Sequence, residues 1–303
     1  MKIKIFFLLY FLCLSIYSQQ FRNASTLADL DQYYNNNGVS VADYDQDGDL
    51  DIFLVSYYSD GNNDSRLLEN TNNGNFIDVT AATGINQNLN HEIDLPSGFY
   101  FGDRLSASWG DFNNDGYPDL FLGNSVQSEL YKNNGDGSFT NITESAGFQV
   151  SCEDCYIAGA LWLDYDLDGR LDIFLSDYHS YSHNKLYRNL GNETFELIDL
   201  TQVILNKNSF SAIFMYINDD AYPDIYIAND FEQDNELLIN QGGSGFVNQA
   251  ESYQVLDPLD GMGLATCDYD NDLDTDFLVT NIEENSFFVN EFNLEDQFAN
   301  LSE

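Results

Sequence analysis

Short apolar runs alternate with polar turns along most of the chain. In the first repeat, strands are expected at residues 38–42, 51–56, 66–70 and 76–80, with a turn at 72–75. Alternating apolar side chains bounded by Gly and Asn are typical of strands joined by hairpins. No stretch of useful length shows the 3.6-residue apolar period of a helix. The pattern therefore predicts an all-β protein.

A polar segment after the first strand of each unit recurs along the chain. It places oxygen-bearing side chains at positions 1, 3, 5 and 9, and its copies begin at Asp43, Asp111, Asp164 and Asp268. A degenerate copy begins at Tyr216 and has Ala221 where the first three copies have Gly. Most copies lie about 52 residues apart, a period typical of propellers and solenoids. Four strands in each unit predict a β-propeller of four-stranded antiparallel blades.

The second half of the unit also repeats, at residues 130–139, 186–195, 237–246 and 287–298. We expect a propeller over residues 19–303, with repeats near 38–86, 105–148, 158–200, 210–252 and 261–303. Residues 21–25 resemble the fourth strand at 139–143, as do residues 298–302. An orphan N-terminal strand would complete the last blade of a closed ring, so we expect about two further blades after Glu303. The alternative is a five-bladed ring with a strand-like tail.

Residues 1–18 have the pattern of a signal peptide. Lys2 and Lys4 precede an apolar run from Ile5 to Ile16, and Ser18 lies at a plausible cleavage point. About 12 apolar residues are too few to span a bilayer. We expect a secreted or cell-surface protein, extracellular or periplasmic, with no membrane insertion after cleavage.

The acidic loops are predicted to bind Ca²⁺. Alternate oxygens on a tight loop converge on one point, and six to eight hard oxygen ligands suit Ca²⁺ better than Mg²⁺. Position 7 would contribute its backbone carbonyl. The expected ligands, in about four sites, are Asp43, Asp45, Asp47, Asp49 and Asp51; Asp111, Asn113, Asp115, Tyr117 and Asp119; Asp164, Asp166, Asp168, Arg170 and Asp172; and Asp268, Asp270, Asp272, Asp274 and Asp276.

The fourth loop retains Asn218, Asp220 and Asp224, and we expect weak binding or none there. An EF-hand is excluded because position 12 is apolar, as at Leu54 and Leu122, where that motif needs Glu. A solvated acidic turn explains one copy but not four copies of one pattern.

Charge and cysteine content narrow the function classes. The chain has 51 acidic and 10 basic residues, a formal charge of −41, so nucleic acid is a poor partner. Cys152 and Cys155 are either a structural disulfide or idle thiols. Cys267, directly before the fifth loop, is expected to be a small buried residue.

The repeats resemble those called FG-GAP or VCBS, known from integrin α-subunit propellers and many secreted bacterial proteins. The closest resemblance is to the cartilage-acidic-protein-1-like, ASPIC/UnbV-associated group. It rests on the acidic segments, on Leu130–Phe139, and on Ala228–Phe231 and Gly261–Leu264. The resemblance covers roughly residues 38–303 and implies a seven-bladed ring with calcium in hairpin loops on one face. No literal Phe-Gly-Gly-Ala-Pro box occurs.

The expected function is an adhesion or ligand-binding scaffold for an extracellular protein or glycan. The end opposite the acidic loops carries Tyr57, Tyr58, an insertion at about 87–104, and residues 177–181, all of which suit a ligand surface. The alternative for these tyrosines is that they simply cover the ring.

We do not expect an enzyme, and no catalytic residue or organic cofactor is predicted. His179 and His183 have a zinc-like spacing, but they lie in a predicted loop. The alternative function is a polysaccharide lyase or glycosidase on a propeller scaffold.

Overall fold

The computed structural model describes residues 23–26, 28–33, 36–56, 65–71, 74–85, 104–124, 128–148, 156–179, 183–218 and 220–290. The predicted signal peptide, Cys152, Cys155, Tyr57, Tyr58, the insertion and residues 298–302 lie outside the described residues, apart from Arg104. No helix among the described residues has the length and apolar character needed to cross a membrane.

The described strands form five antiparallel sheets, each built from consecutive strands. Blade 1 contains β1 (Asn36–Ala42), β2 (Asp51–Ser56), β3 (Arg66–Asn70) and β4 (Phe76–Asp78). Blade 2 contains β5 (Arg104–Gly110), β6 (Asp119–Asn124), β7 (Glu129–Asn133) and β8 (Phe139–Asn141). Blade 3 contains β9 (Ile157–Leu163), β10 (Asp172–Asp177), β11 (Lys185–Gly191) and β12 (Thr194–Ile198). Blade 4 contains β13 (Ser209–Met215), β14 (Asp224–Asn229), β15 (Glu236–Asn240) and β16 (Phe246–Asn248), and blade 5 contains β17 (Gly261–Cys267), β18 (Asp276–Asn281) and β19 (Ser286–Phe288).

This architecture confirms the predicted all-β propeller. The four strands expected in the first repeat are present, although β4 ends at Asp78 rather than at residue 80. A single helical turn, α1 (Thr80–Thr83), follows β4 and ends at Gly84 with a positive φ of 83°. The Thr80 hydroxyl donates to the Asp78 carboxylate and accepts from the backbone N–H of Leu67. Thr80 therefore lies just after β4, with its side chain bonded back to β3.

The core lies between neighbouring blades. Side chains on a strand alternate between its two faces, so the second strand of each blade contributes one row to each neighbour. The buried pairs that share a cluster are Phe53 with Leu120, Phe121 with Ile173, Phe174 with Ile225, and Tyr226 with Phe277. Full burial of such a side chain contributes about 1.5–3 kcal/mol. The first strands of successive blades contact one another, which places them innermost.

The order of the strands defines two ends of the propeller. The connections between the first and second strands and between the third and fourth strands lie at one end, which we call the acidic-loop end. The connections between the second and third strands and between blades lie at the other, which we call the crossover end. Each acidic segment is therefore the first hairpin of its blade.

The N-terminal segment has the side-chain bonds of a blade end, although Asn23–Ser25 is not a strand and Phe21 lies outside the described residues. Asn23 Oδ1 accepts from the backbone N–H of Ser25 at 3.0 Å, as Asn141 Oδ1 accepts from Thr143 at 3.1 Å. Ala28 O then accepts from Phe76 N at 3.3 Å, as Ala146 O accepts from Phe195 N at 2.8 Å. Ala28 thus contacts blade 1 as Ala146, at the end of blade 2, contacts blade 3.

The prediction that Cys267 is buried was wrong, because its thiol is free and exposed. The equivalent Leu163 is buried because it packs in a cluster with residues of the following blade. Blade 5 is the last sheet in the described residues, so this face of β17 has no described sheet packed on it.

Candidate metal-binding loops

Each acidic loop is shaped by its own carboxylates. The side chain at position 3 accepts a hydrogen bond from the backbone N–H at position 5, as between Asn113 and Asp115 at 2.9 Å. The side chain at position 5 in turn accepts from the N–H at position 7, as between Asp115 and Tyr117 at 2.9 Å. These short side-chain-to-backbone turns are what Asp and Asn favour. They wind the loop so that its carboxylates face inward.

Positions 1 and 6 close the first, second, third and fifth loops. The Oδ2 atom of Asp111 accepts from Gly116 N at 2.8 Å, and that of Asp164 accepts from Gly169 N at 2.9 Å. The φ angles of these glycines are 93° and 86°, a region that side chains with a Cβ rarely adopt. In the fifth loop Leu273 takes this conformation at φ 76°, bonded to Asp268 at 3.3 Å.

Position 9 ties the loop to its own sheet. Asp119 Oδ2 accepts from Phe112 N at 3.1 Å, and its Oδ1 accepts from Asn133 N at 2.8 Å. The same two bonds recur at Asp51, Asp172, Asp224 and Asp276. Burial raises the pKa of Asp51 to about 6, of Asp119 to about 8 and of Asp172 to about 7. The degenerate fourth loop keeps this acid, which indicates a structural role at position 9.

Three loops bring acidic oxygens together in a way that could hold a metal ion. One carboxylate oxygen from each of positions 1, 3 and 9 lies within 4.8 Å of the others in three sets: Asp43, Asp45 and Asp51; Asp164, Asp166 and Asp172; and Asp268, Asp270 and Asp276. The second loop has Asn113 at position 3, so it offers an amide oxygen there instead of a carboxylate. Within the described part of the chain, Asp43 Oδ1 is buried without a hydrogen-bond partner, which suits this oxygen to act as a metal ligand.

Like charges crowd the fifth loop. Burial and the neighbouring Asp272 raise the pKa of Asp274 to about 6. A bound divalent cation would relieve this repulsion, since an opposite charge favours the ionised carboxylate.

The third loop already carries positive charge. The Arg188 guanidinium lies 2.5 Å from Asp166 and 3.7 Å from Asp168, and Arg170 also pairs with Asp168. The Asp166 carboxylate raises the pKa of Arg188. The sequence predicted only a backbone carbonyl ligand from Arg170. It did not predict the contact of Arg188, because this residue lies on β11, outside the acidic loop. A metal ion in this loop would compete with two guanidinium groups.

The fourth loop departs from the others as its sequence indicates. Tyr216 at position 1 is exposed and supplies no carboxylate. Ala221 does not adopt the positive φ of the glycines at position 6. Asn218 and Asp220 still form the turn between positions 3 and 5, at 3.2 Å.

Neighbouring acidic loops are hydrogen-bonded to one another. The position-4 side chain of Gln46 donates to the carbonyl of Gly116 in the next loop. Asn114 donates in the same way to the carbonyl of Gly169 at 3.0 Å. Leu167 holds position 4 of the third loop and cannot donate. These links join loops 1, 2 and 3.

An asparagine at the end of the third strand forms a second link between blades. Asn133 Nδ2 donates to the carbonyl of Tyr44, Asn189 to that of Phe112 and Asn240 to that of Tyr165, each at 2.8 Å. Each acceptor is position 2 of the acidic loop in the preceding blade, so these asparagines help to hold adjacent blades together at the acidic-loop end.

Tyr178, His179 and His183 lie at the crossover end. Tyr178 is half-buried, and its hydroxyl donates to Asp230. Neither His179 nor His183 belongs to a cluster of three potential metal ligands within the described chain. The zinc-like spacing therefore has no geometric support there.

The five described sheets and their acidic hairpins define the class of this protein as a β-propeller. The FG-GAP-like repeat family matches residues 111–175 and 164–227. The chain is distantly related to cartilage acidic protein 1. It is 27% identical to the Mus musculus protein and 26% identical to the Homo sapiens protein over 178 residues, which are 57% of this chain. The chain spans only 24% of the length of these curated relatives.

Several solved structures are similar in fold. An Agrocybe aegerita lectin that recognises non-reducing terminal N-acetylglucosamine has a TM-score of 0.49 at 15% identity, covering 85% of this chain and 67% of the lectin chain. The V. cholerae biofilm matrix protein Bap1 has a TM-score of 0.40 at 13% identity, covering 82% of this chain and 35% of that chain.

Proposed function

We propose that this protein is a secreted, calcium-binding propeller that serves as an adhesion or ligand-binding scaffold for an extracellular protein or glycan. The observation that carries the calcium part is the convergence of carboxylate oxygens from positions 1, 3 and 9 in three separate loops. The buried, unpartnered Asp43 Oδ1 supports it. The secreted location rests on the signal-peptide pattern of residues 1–18.

The donor set favours calcium over other metals. Carboxylate, amide and carbonyl oxygens suit Ca²⁺, Mg²⁺ and Mn²⁺, whereas copper and zinc sites draw on imidazole or thiolate. Flexible loops offering more than six oxygens suit Ca²⁺ in particular. In this proposal positions 1, 3 and 5 supply side-chain oxygens, position 7 supplies its carbonyl, and position 9 shares its carboxylate between the metal and the strand. The proposed ion would stiffen the hairpin and neutralise its acids.

We propose a binding role rather than catalysis. The acids of the loops accept hydrogen bonds from the loop backbone or converge on the proposed metal positions, which leaves the loops without an evident acid–base pair. The series of packed sheets supports the scaffold role, because it presents connecting loops at the crossover end.

Calorimetric titration of the chelator-treated protein with CaCl₂ tests the calcium proposal. We expect about four binding events, and Asp45→Asn should remove or weaken one of them. Asp220→Asn in the degenerate fourth loop is the matched control and should leave the titration unchanged. Absence of binding at millimolar calcium, or equal effects of the two substitutions, would contradict the proposal.

A further inference from the structure

Four aromatic rings gather at the crossover end between blades 3 and 4. The Tyr178 ring centroid lies 5.4 Å from that of Tyr156, 5.5 Å from that of Phe210 and 6.0 Å from that of Phe231. We call these four residues the aromatic patch. Phe231 is 62% exposed and Phe210 is 37% exposed, so the patch presents aromatic surface to solvent. Phe231 belongs to the Ala228–Phe231 segment, which the sequence singled out and which lies outside the proposed metal-binding loops.

The backbone holds Phe231 outward in a strained conformation. Its φ is 59° and that of Glu232 is 54°, so two successive residues with a Cβ adopt the left-handed region. A bulky residue there is an outlier that persists only where the surrounding structure imposes it. Such strain, with an exposed ring as its result, is typical of a functional surface.

Hydrogen bonds from three blades impose this conformation. Asp230 Oδ1 accepts from Phe231 N at 2.8 Å, while its Oδ2 accepts from the Tyr178 hydroxyl of blade 3. Asp260, at the start of blade 5, accepts from Glu232 N at 2.9 Å. Asn208 donates to the carbonyl of Tyr178 at 2.6 Å. The patch is therefore rigid before any ligand arrives, which lowers the entropic cost of binding.

Negative charge surrounds the patch. The turn that carries Phe231 also carries Glu232 and Asp234, both exposed, and Asp260 is half-buried beside it. The nearby lysines of the described chain are engaged, Lys185 with Asp177 at 3.0 Å and Lys207 with Glu236 at 3.9 Å. With a formal charge of −41, the whole chain attracts cations over long range.

We propose that the aromatic patch binds an arginine side chain of a partner protein. A guanidinium group stacks on aromatic faces and pairs with carboxylates in a fork geometry, so it matches both parts of this surface. The negative charge around the patch favours a guanidinium group over an anionic ligand. The exposed acids also favour it over a purely apolar ligand, because they can pair with it. This inference rests on the proposed scaffold function and names the chemistry of its ligand.

The probe is a capped fluorescent peptide, Gly-Arg-Gly-Arg-Gly, measured by anisotropy against the full chain in 1 mM CaCl₂ and 150 mM NaCl. The same peptide with citrulline in place of arginine keeps the shape but removes the charge. We expect the arginine peptide to bind and the citrulline peptide to bind at least tenfold more weakly.

Four variants locate the binding. Phe231→Ala and Glu232→Gln should each weaken it about three- to tenfold. Tyr253→Ala alters an exposed aromatic outside the patch and should leave it unchanged. Phe231→Leu, which retains an apolar side chain, should also weaken binding if the ring face is what the arginine contacts. A thermal melt of each variant verifies folding.

Equal binding of both peptides, or equal effects of Phe231→Ala and Tyr253→Ala, would overturn the inference as non-specific attraction. A panel of neutral oligosaccharides is the second arm, and Phe231-dependent binding there without peptide binding would overturn it in favour of a glycan. Because calcium titration is measured separately, loss of peptide binding with intact calcium binding rejects this inference alone.

Discussion

Leu273 shows how one residue can weaken a loop that is otherwise built like its neighbours. It holds position 6 at φ 76°, where three other loops have Gly. A residue with a Cβ costs roughly 1–2 kcal/mol in this conformation. Leu273 is 93% exposed, so its side chain offsets little of that cost by burial.

We therefore predict that Leu273→Gly stabilises the protein by about 1 kcal/mol, measured by urea unfolding in excess calcium. Leu50→Gly is a control, because Leu50 is also exposed but is not among the residues with a positive φ. Stabilisation by Leu50→Gly of the same size, or destabilisation by Leu273→Gly, would show that backbone strain at position 6 is not the cause.

Arg188 provides a second test at the residue scale. It contacts Asp166 and Asp168 and so would compete with the proposed cation in the third loop. Exposed ion pairs are worth about 0.2–1 kcal/mol, so Arg188→Gln should raise calcium affinity at this loop by up to about fivefold. Lys132→Gln is the matched control, because Lys132 holds the same strand position in blade 2 but pairs with Glu193. Calorimetry in which both substitutions change affinity equally would reject competition by Arg188.

At the scale of elements, the acidic loops act as linked hairpins. Asn114→Leu removes the hydrogen bond to the Gly169 carbonyl and places at position 4 the residue found at Leu167. A typical hydrogen bond contributes about 0.5–1.5 kcal/mol net, and we expect a loss of that size in urea unfolding. Asn271→Leu has the same left-handed strain, with φ 65° against 58°, and is the control for it. If both variants lose equal stability, the link between loops contributes nothing.

Much of this element-level organisation could be predicted from the sequence. Alternating apolar residues and the repeated acidic segments predicted the strands of blade 1, since both signals are local. The Asn133, Asn189 and Asn240 links could not be predicted, because each asparagine bonds to a carbonyl far away in sequence. Their one sequence signal was the recurrence of Asn at the fourth position of the repeats at 130–139, 186–195 and 237–246. The left-handed backbone conformation of Phe231 could not be predicted for the same reason, because hydrogen bonds from neighbouring blades impose it.

At the scale of the whole molecule, the buried position-9 acids predict an unusual pH dependence without metal. Burial raises the pKa of Asp51, Asp119 and Asp172 to about 6, 8 and 7. In that range the folded state binds more protons than the unfolded state, so stability falls as pH rises. We expect the chelated protein to melt at a lower temperature at pH 8.5 than at pH 5.5.

Melting curves in a chelator whose affinity is insensitive to pH measure this effect. High salt screens surface repulsion but not buried carboxylates, so the difference should persist in 1 M NaCl. A chelated protein whose melting temperature rises between pH 5.5 and 8.5 would contradict the prediction.

The central claim is that calcium in the acidic loops holds the blades of this propeller together. Each site with a dissociation constant 100-fold below free calcium adds about 2.7 kcal/mol, and four such sites would supply on the order of 11 kcal/mol. That is comparable with the usual net stability of a domain.

Differential scanning calorimetry of the full chain in calcium and in excess chelator tests this claim most directly. We predict that chelation lowers the melting temperature by roughly 20–40 °C, since each 1 kcal/mol corresponds to about 2–4 °C for a domain of this size class. Restoring calcium should restore the transition, whereas the same concentration of MgCl₂ should restore much less of it. A melting temperature unchanged by chelation would contradict the account.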